Sequence, residues 1–291
     1  MITVLGPQRR PTLASVARDL PPGTRFATVT AGWLEREPDV GELHGVLGGG
    51  AAEPVNLGLW QRWQDVLERD PELALAEVNH REVVAELQDL YAVRLEHAEA
   101  AAAAVARAAH RPRVGSAALA DAEETIRQLD ARHLALVREA NADFELAWRP
   151  TERDSVARHR AELASLPYDV LVVAGGHVGM LLHVLRLFTD PPSGPVVAWS
   201  AGAMALTERV VLFAEGRAEV YGTGLAVLPE VVLLPHARRR LPMGDPAVLG
   251  ALARRFAPDR CVVLDDGVRL DLADGLPVTA RLIGVDGRLT G

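Results

Sequence analysis

Short apolar runs alternate with helical patterns through the second half of this chain, and this alternation restricts the fold more than any other feature. Val170–Ala174 and Val196–Trp199 are two such runs, and each precedes a segment with helical spacing. A strand that is apolar on both sides has to be buried on both faces, as in a parallel sheet covered by helices. The pattern predicts an α/β fold with a doubly wound, mostly parallel sheet, in which sites lie at the carboxyl ends of the strands.

A long helical segment interrupts this pattern. From about residue 57 to residue 166 strand signals vanish, and alanine, glutamate, arginine and leucine dominate. An apolar stripe at 83–91, a turn with proline and glycine at 110–115 and a later heptad seam together predict a helical hairpin. The seam consists of Leu119, Ala122, Ile126, Leu129, His133, Leu136 and Ala140. We therefore divide the chain into an N-terminal part of an α/β domain (1–56), a helical insertion (57–166) and a C-terminal part of the α/β domain (167–291).

The sequence does not decide which helix packs against this heptad seam. Heptad positions can pair within one chain or between two chains, so a homodimer formed through the insertion is one expectation. We interpret His97, His110 and His133 of the insertion as solvated or seam residues rather than as metal ligands. The glycine-rich stretch 31–56 is interpreted as a mobile loop, since no Lys-Ser/Thr pair follows its glycines as in a phosphate loop.

The composition excludes several classes of function. The 291 residues carry a formal net charge of −8 without a long basic stretch, so nucleic acid is not an expected partner. A single cysteine, Cys261, allows no intramolecular disulfide and no cysteine-rich metal site, which suits the cytoplasm. The start of the chain lacks a signal-sequence pattern and no apolar run approaches 18 residues, so no membrane association is expected. We expect no cofactor and no metal, and we interpret Asp265 and Asp266 as turn residues.

Ser200 is the first candidate for chemistry, because it stands between the apolar run Val196–Trp199 and a helix of small residues. This arrangement is typical of a nucleophile elbow, in which a sharp turn exposes the serine hydroxyl. The N–H of Ala201 would then supply half of an oxyanion hole. Gly175 and Gly176 follow another predicted strand, and glycines there let backbone N–H groups approach a ligand and supply the other half.

A base and an acid follow Ser200 in a workable order. His236 ends the apolar run that starts at Val231, where it could serve as a general base at neutral pH. Glu215 lies between Ser200 and His236 and could orient the imidazole, as the third member of a triad does. Glu208 and Glu219 compete for this role on spacing alone. Arginines directly after the histidine, at 238–240, could clamp a substrate carboxylate.

Three of these motifs together resemble the peptidase E and cyanophycinase family of serine peptidases. They are Gly175-Gly176, the elbow from Trp199 to Ala203, and Pro235-His236. The resemblance covers about 165–291 well and 1–35 weakly. It implies the flavodoxin-like fold of class I glutamine amidotransferases, with serine where those enzymes have cysteine. Its implied site comprises Ser200, His236 and Glu215 as the triad, and Gly176 and Ala201 as the oxyanion hole. We expect Gly175, His177, Arg238 and Arg240 beside the substrate, with His177 as a departure from the family, which commonly has Asn, Asp or Gln soon after the glycine pair.

The leading expectation is therefore a serine hydrolase that cleaves peptide or amide bonds, and the resemblance implies small peptides with acidic residues as substrates. A second hypothesis is a non-catalytic, amidotransferase-like domain that binds a ligand or assembles through its helical insertion. It predicts an unreactive Ser200. A third is an esterase of the α/β-hydrolase type, which has the same triad order. Against it, the histidine of that fold usually comes late in the chain, and Ala198 stands at the first glycine of its elbow motif.

Overall fold

The structure is a computed structural model, which describes residues 1–8, 12–48, 53–108, 111–214, 217–272 and 275–290. It combines a parallel-rich sheet with long helices, and the predicted α/β class is thereby confirmed. In chain order the elements are β1 (Ile2–Leu5), α1 (Leu13–Asp19), β2 (Phe26–Val29), a 3-10 helix (Ala31–Arg36), α2 (Gly41–Leu47), β3 (Val55–Asn56), α3 (Leu59–Glu68), α4 (Pro71–Arg107), α5 (Pro112–Leu146), α6 (Pro150–Ala164), β4 (Val170–Val173), α7 (Val178–Phe188), β5 (Val196–Trp199), α8 (Ala201–Ala205), β6 (Arg209–Ala214), β7 (Arg217–Thr223), β8 (Val231–Pro235), α9 (Ala237–Arg240), α10 (Pro246–Phe256), β9 (Arg260–Leu264), β10 (Arg269–Leu272), β11 (Leu282–Ile283) and β12 (Leu289–Thr290).

The main sheet has six strands in the order β10-β1-β5-β4-β2-β3. All of its neighbours are parallel except β10, which runs antiparallel to β1 at one edge. In this register Trp199 lies beside Leu5, and Ala198 lies beside Val173. The turns that follow β1, β4 and β5 therefore emerge together at the carboxyl edge of the sheet, where α/β proteins bind their ligands.

Helices cover both faces of the main sheet. In β4, Val170 and Val172 pack in one cluster with residues of α1 and α2, whereas Leu171 and Val173 pack in another with residues of α3 and α7. Successive side chains of a strand point to opposite faces, so a fully apolar strand has to be buried on both sides. This is the physical reason why the uninterrupted apolar runs of the sequence form parallel strands here.

Two smaller sheets complete the C-terminal part. β8 and β9 are parallel and belong to a four-stranded sheet of order β12-β11-β9-β8. β6 and β7 form an antiparallel pair, and β6 packs against β8. The turn after β1 meets the turn after β9, because a Cβ added to Gly6 would lie 1.8 Å from the carbonyl oxygen of Asp265. The carboxyl ends of the two parallel systems thus lie on the same side of the molecule.

The helices α4 and α5 form an antiparallel pair, since the contacts His80–Asn141 and Tyr91–Asp130 are related by one antiparallel register. Every residue of the predicted heptad seam is buried or half-buried, and His133 stacks on the ring of Tyr91 at 4.2 Å. The seam thus packs within the chain. Within the described ranges, no helix is both long and apolar enough to cross a bilayer.

Several local expectations were wrong. The stretch 31–56 carries a 3-10 helix, α2 and β3 in its described residues, because apolar residues such as Leu43 and Leu47 pack under the sheet; the glycines at 49 and 50 lie outside the described residues. The helix α5 already begins at Pro112, inside the predicted turn 110–115, and residue 109 and His110 lie outside the described residues. The sequence pattern of 278–285 predicts a terminal strand, but only the two residues of β11 form one there, and Val278 is 97% exposed in a turn.

Cys261 is expected to be unreactive in the folded protein. The residue is 1% exposed in β9, and burial raises the pKa of its thiol to about 12. Because the thiolate is the reactive form, a disulfide reagent at pH 8 should modify native protein far more slowly than protein unfolded in urea. Rapid modification of the native chain, complete before unfolding, would contradict this packing of β9.

Candidate active site

Ser200 lies between β5 and α8 with a backbone conformation that residues with a side chain rarely adopt. Its φ is 52° and its ψ is −122°, and the residue is half-buried. Holding a non-glycine residue in such a region costs about 1–3 kcal/mol and occurs mainly at functional sites. A strained serine on a sharp strand-to-helix turn is the local geometry of a nucleophile elbow.

Small residues allow this turn to fit against the neighbouring strand. A Cβ added to Gly175, just after β4, would lie 2.9 Å from the Cβ of Ser200 and 3.4 Å from its Oγ. A Cβ added to Gly202 would lie 2.3 Å from the carbonyl oxygen of Val173. Glycine at both positions is therefore needed for the close approach of α8 and Ser200 to the end of β4.

Gly176 follows β4 and Ala201 follows Ser200, so their backbone N–H groups belong to the two turns that meet where Ser200 packs against the end of β4. Gly176 has a φ of 133°, which favours glycine, and a Cβ there would lie 2.3 Å from the carbonyl oxygen of Gly32. Ala201 begins α8, and the first N–H groups of a helix have no acceptor within the helix. Neither N–H donates a hydrogen bond to another described residue. Both are thus available to a ligand oxygen.

His236 lies at the carboxyl end of β8 in the left-handed region, with a φ of 58° and a ψ of 30°. Its N–H donates to the carbonyl oxygen of Leu264 at 3.2 Å. The carboxylate of Asp265 holds the next turn, because Oδ1 accepts the Arg238 N–H at 3.0 Å. Since α8 packs against β8, the structure brings the histidine turn and the Ser200 turn to the same side of the molecule.

The acidic member of the predicted triad, Glu215, lies outside the described residues. Of its two competitors on spacing, Glu208 is exposed. Glu219 faces the helical insertion, where its Oε2 accepts a hydrogen bond from Nε2 of Gln88 at 3.0 Å. Glu219 therefore acts in the docking of α4 on β7.

The arginines after His236 are exposed. The side chain of Arg238 is 70% exposed, and its Nε lies 3.2 Å from Oδ2 of Asp265. Asp265 is thus more than the plain turn residue expected from sequence. Because this carboxylate already neutralises Arg238, a substrate carboxylate would have to compete with Asp265 for it, whereas Arg240 makes no ion pair with a described residue.

A cavity of about 490 Å³ opens beside the glycine turn and runs under the helical insertion. His177, Gly179 and Tyr221 lie together on its wall, since a Cβ added to Gly179 would be 2.2 Å from Oη of Tyr221 and 3.2 Å from Cε1 of His177. His177 also caps α7, because its Nδ1 accepts the Met180 N–H at 3.1 Å. A neutral imidazole that accepts at Nδ1 carries its proton at Nε2, so His177 can offer a donor to a ligand.

A buried group of three residues forms another part of this wall and was missed by the sequence analysis: Glu77 and His80 on α4, and His183 on α7. Burial lowers the pKa of His183 to about 3, so the imidazole is neutral at pH 7. Burial by itself raises the pKa of Glu77, but the neighbouring His80, His183 and Arg81 outweigh it and lower that pKa. The Glu-x-x-His spacing in α4 was a detectable signal, yet the third member is about a hundred residues away along the chain.

Gly202 tests the close packing of α8. We expect Gly202→Ala to destabilise the protein by about 3 kcal/mol, because the added Cβ meets the backbone of β4, which cannot move aside. Gly45 in α2 is the matched control, since no atom lies within 4 Å of a Cβ added there. Gly45→Ala should stabilise the protein by up to about 1 kcal/mol through helix propensity. Urea unfolding measures both changes, and equal effects would contradict the tight approach.

Comparison with known proteins gave no match to this chain among family models, curated proteins or solved structures.

Proposed function

We propose that this protein is a serine hydrolase that cleaves peptide or amide bonds, with Ser200 as nucleophile and His236 as general base. The proposal rests above all on the strained backbone of Ser200 at the end of β5. A structural helix cap needs no such strain, because a serine cap normally has ordinary extended angles. Ser200 also makes no side-chain cap to α8, so helix capping does not account for this residue.

In the proposed reaction, Oγ of Ser200 attacks the substrate carbonyl carbon while an imidazole nitrogen of His236 takes the hydroxyl proton. The negative charge on the former carbonyl oxygen is stabilised by the N–H groups of Gly176 and Ala201. Collapse of the tetrahedral intermediate breaks the C–N bond, and the imidazolium protonates the leaving amine. Water, deprotonated by His236, then attacks the acyl-enzyme. Collapse of this second intermediate breaks the bond between the carbonyl carbon and Oγ, the imidazolium returns the proton to Oγ of Ser200, and the acid is released. We assign to Glu215 the role of orienting the imidazole.

The proposed fold relationship is with the flavodoxin-like, class I glutamine amidotransferase-like proteins, and the proposed family is that of peptidase E and cyanophycinase. The order of the triad and the pair of glycines after β4 support both. Small peptides are the proposed substrates, as the resemblance to that family implies. The cavity beside His177 has the usual size of a small-molecule site, about 300–1,000 Å³, but neither Ser200 nor His236 lines it, so it would hold a part of the substrate away from the scissile bond.

A fluorophosphonate probe tests the proposal, because it forms a stable bond only with an activated serine. We expect one label per chain on the native protein. Ser200→Ala and His236→Ala should each abolish labelling. Ser193→Ala changes an exposed serine in the loop before β5 and should label like the native protein. Labelling of native protein that survives in Ser200→Ala would refute Ser200 as the nucleophile.

A native protein that does not react with the probe, and that hydrolyses no member of a dipeptide library, would favour the second hypothesis instead. In that case the amidotransferase-like domain binds a ligand or assembles without chemistry. The cavity between the insertion and α7 would then be the place to look for the ligand, since residues of both line it.

A further inference from the structure

We propose that Glu77, His80 and His183 form a binding site for a divalent transition metal, zinc above all, on the wall of the cavity beneath the helical insertion. The site joins α4 of the insertion to α7 of the α/β domain. It does not depend on the chemistry proposed for Ser200, and it revises the sequence expectation that the chain binds no metal.

The three candidate ligand atoms have spacings that suit one ion. Nε2 of His183 lies 3.4 Å from Oε2 of Glu77, and Nδ1 of His80 lies 3.8 Å from the same oxygen. All three atoms lie within 4.8 Å of one another. Ligands held at about 2.0–2.1 Å in a tetrahedral zinc site are about 3.3 Å apart. Small side-chain movements therefore suffice to bring the three atoms to coordination distance.

The same three atoms are buried without a hydrogen-bond partner in the part of the chain that the structure describes. The side chain of Glu77 is 1% exposed, that of His80 8% and that of His183 10%. Buried polar atoms normally have a partner, and each exception needs an explanation. Here three such atoms from two separate helices converge on one point, and a metal ion would satisfy all of them at once.

The surroundings orient these ligands as an outer shell does in metal sites. Nε2 of His80 lies 3.0 Å from Oδ1 of Asn141, an acceptor, so the proton is on Nε2 and Nδ1 presents its lone pair. Oε1 of Glu77 accepts from Nε of Arg81 at 2.9 Å, which leaves Oε2 for a metal. The ring of His80 stacks on Phe144 with 4.5 Å between centroids.

Packing and charge also surround His183. Its ring lies edge-on to Trp63 with centroids 5.3 Å apart. Nη2 of Arg186 lies 3.3 Å from Nδ1 of His183, while Nε of the same arginine lies 2.9 Å from Oε1 of Glu145. A neutral imidazole that binds metal through Nε2 carries its proton on Nδ1. Metal binding therefore requires Arg186 to turn away from the ring and towards Glu145.

The donor set selects the class of metal. Two imidazole nitrogens and one carboxylate oxygen suit zinc and its transition-metal neighbours, whereas calcium and magnesium prefer oxygen ligands throughout. Three protein ligands leave a fourth position for water or a ligand, as in catalytic zinc sites. All three residues contribute to the wall of the cavity, so the ion would lie within that wall.

The test uses the full chain after chelator treatment and dialysis, titrated with zinc chloride against a chromophoric competitor. We expect one tight site per chain, no competition from millimolar magnesium, and a higher unfolding temperature with zinc. X-ray absorption of the zinc-loaded native protein should report nitrogen and oxygen neighbours at about 2.0–2.1 Å. A native protein that binds no zinc more tightly than the competitor does would overturn the proposal.

Variants locate the site. His183→Gln and His80→Gln should each weaken zinc binding by at least about 100-fold, since even outer-shell changes cost 10–100-fold. His97→Gln, an exposed histidine on the same helix α4, is the matched control and should bind like the native protein. Arg186→Met should bind at least as tightly, because it removes the cation that opposes the Nδ1 proton. Tight binding that survives in both ligand variants would overturn the assignment, and Ser200→Ala should leave zinc binding unchanged.

Discussion

Asp130→Ala is expected to destabilise the protein by about 3 kcal/mol, because it removes the buried bidentate partner of Arg255 and leaves only the half-buried Glu99, 3.1 Å from Nη1, to balance its charge. Asp130 is 2% exposed and Arg255 5%. The pair is bidentate, with both N–O distances at 2.8 Å. Urea unfolding, followed by circular dichroism, measures the loss.

The size of this effect follows from the network around the pair. Oη of Tyr91 donates to Asp130 at 2.7 Å and accepts from Arg255 at 2.8 Å. Arg255 also donates to the carbonyl oxygen of Ala218 in β7 at 2.8 Å. The members come from α4, α5, α10 and β7, so the network fastens the helical pair to the C-terminal strands. Removing one charge leaves the others buried and only partly satisfied.

Two controls isolate the buried charge as the cause. Asp169→Ala breaks the pair with Arg25, whose side chains are each nearly half exposed, and should have a much smaller effect. The double variant Asp130→Leu with Arg255→Met should lose less stability than Asp130→Leu alone, since it leaves no unpaired buried charge. A double variant that loses the sum of the two single losses would show that the two side chains act independently.

The second large effect is expected at Ser200, where a change to glycine should remove most of the activity and yet give a more stable protein than a change to alanine. With a substrate identified, Ser200→Gly should lower turnover by about 10⁴–10⁶-fold, as loss of the nucleophile does in a serine triad. The same variant should be about 1–2 kcal/mol more stable than Ser200→Ala, because glycine adopts the φ of 52° without strain. Hydrolysis assays and urea unfolding of the two variants give both quantities.

Ser155 in α6 supplies the matched control for the backbone argument. At an ordinary helical position glycine is about 1 kcal/mol less favourable than alanine, so Ser155→Gly should be less stable than Ser155→Ala. The sign of the glycine–alanine difference should thus reverse between Ser155 and Ser200. The same sign at both positions would mean that Ser200 is not strained, and the principal support for the proposed nucleophile would be lost.

Two buried groups are among the contacts that join the insertion to the rest of the molecule, and the cavity lies beside one of them. The Tyr91–Asp130–Arg255 network holds the middle of the helical pair, and the Glu77–His80–His183 group lies where α4 meets α7. Since α7 starts just after Gly176, the proposed metal site and the proposed oxyanion hole lie at different parts of one rigid helix and its preceding turn.

Much of the fold could be predicted from local pattern. The runs Val170–Ala174 and Val196–Trp199 match β4 and β5 closely, because a strand buried on both faces has a continuous apolar sequence that few other structures need. The strand β7 and the edge strand β10 were missed. In β7 the half-buried positions are occupied by arginine, glutamate and tyrosine, whose long side chains cover neighbouring surface while keeping polar atoms accessible.

By itself, the sequence determined the elements whose cause is local: the apolar strands, the heptad seam of α5, and the serine and glycines at strand ends. Only the tertiary structure decided which elements meet. The pairing of α4 with α5 joins residues 39 and 61 positions apart. The salt bridge of Asp130 with Arg255 and the convergence of Glu77 with His183 join residues more than a hundred positions apart. No local pattern encodes such contacts, since they depend on the packing that brings the insertion against α7 and α10.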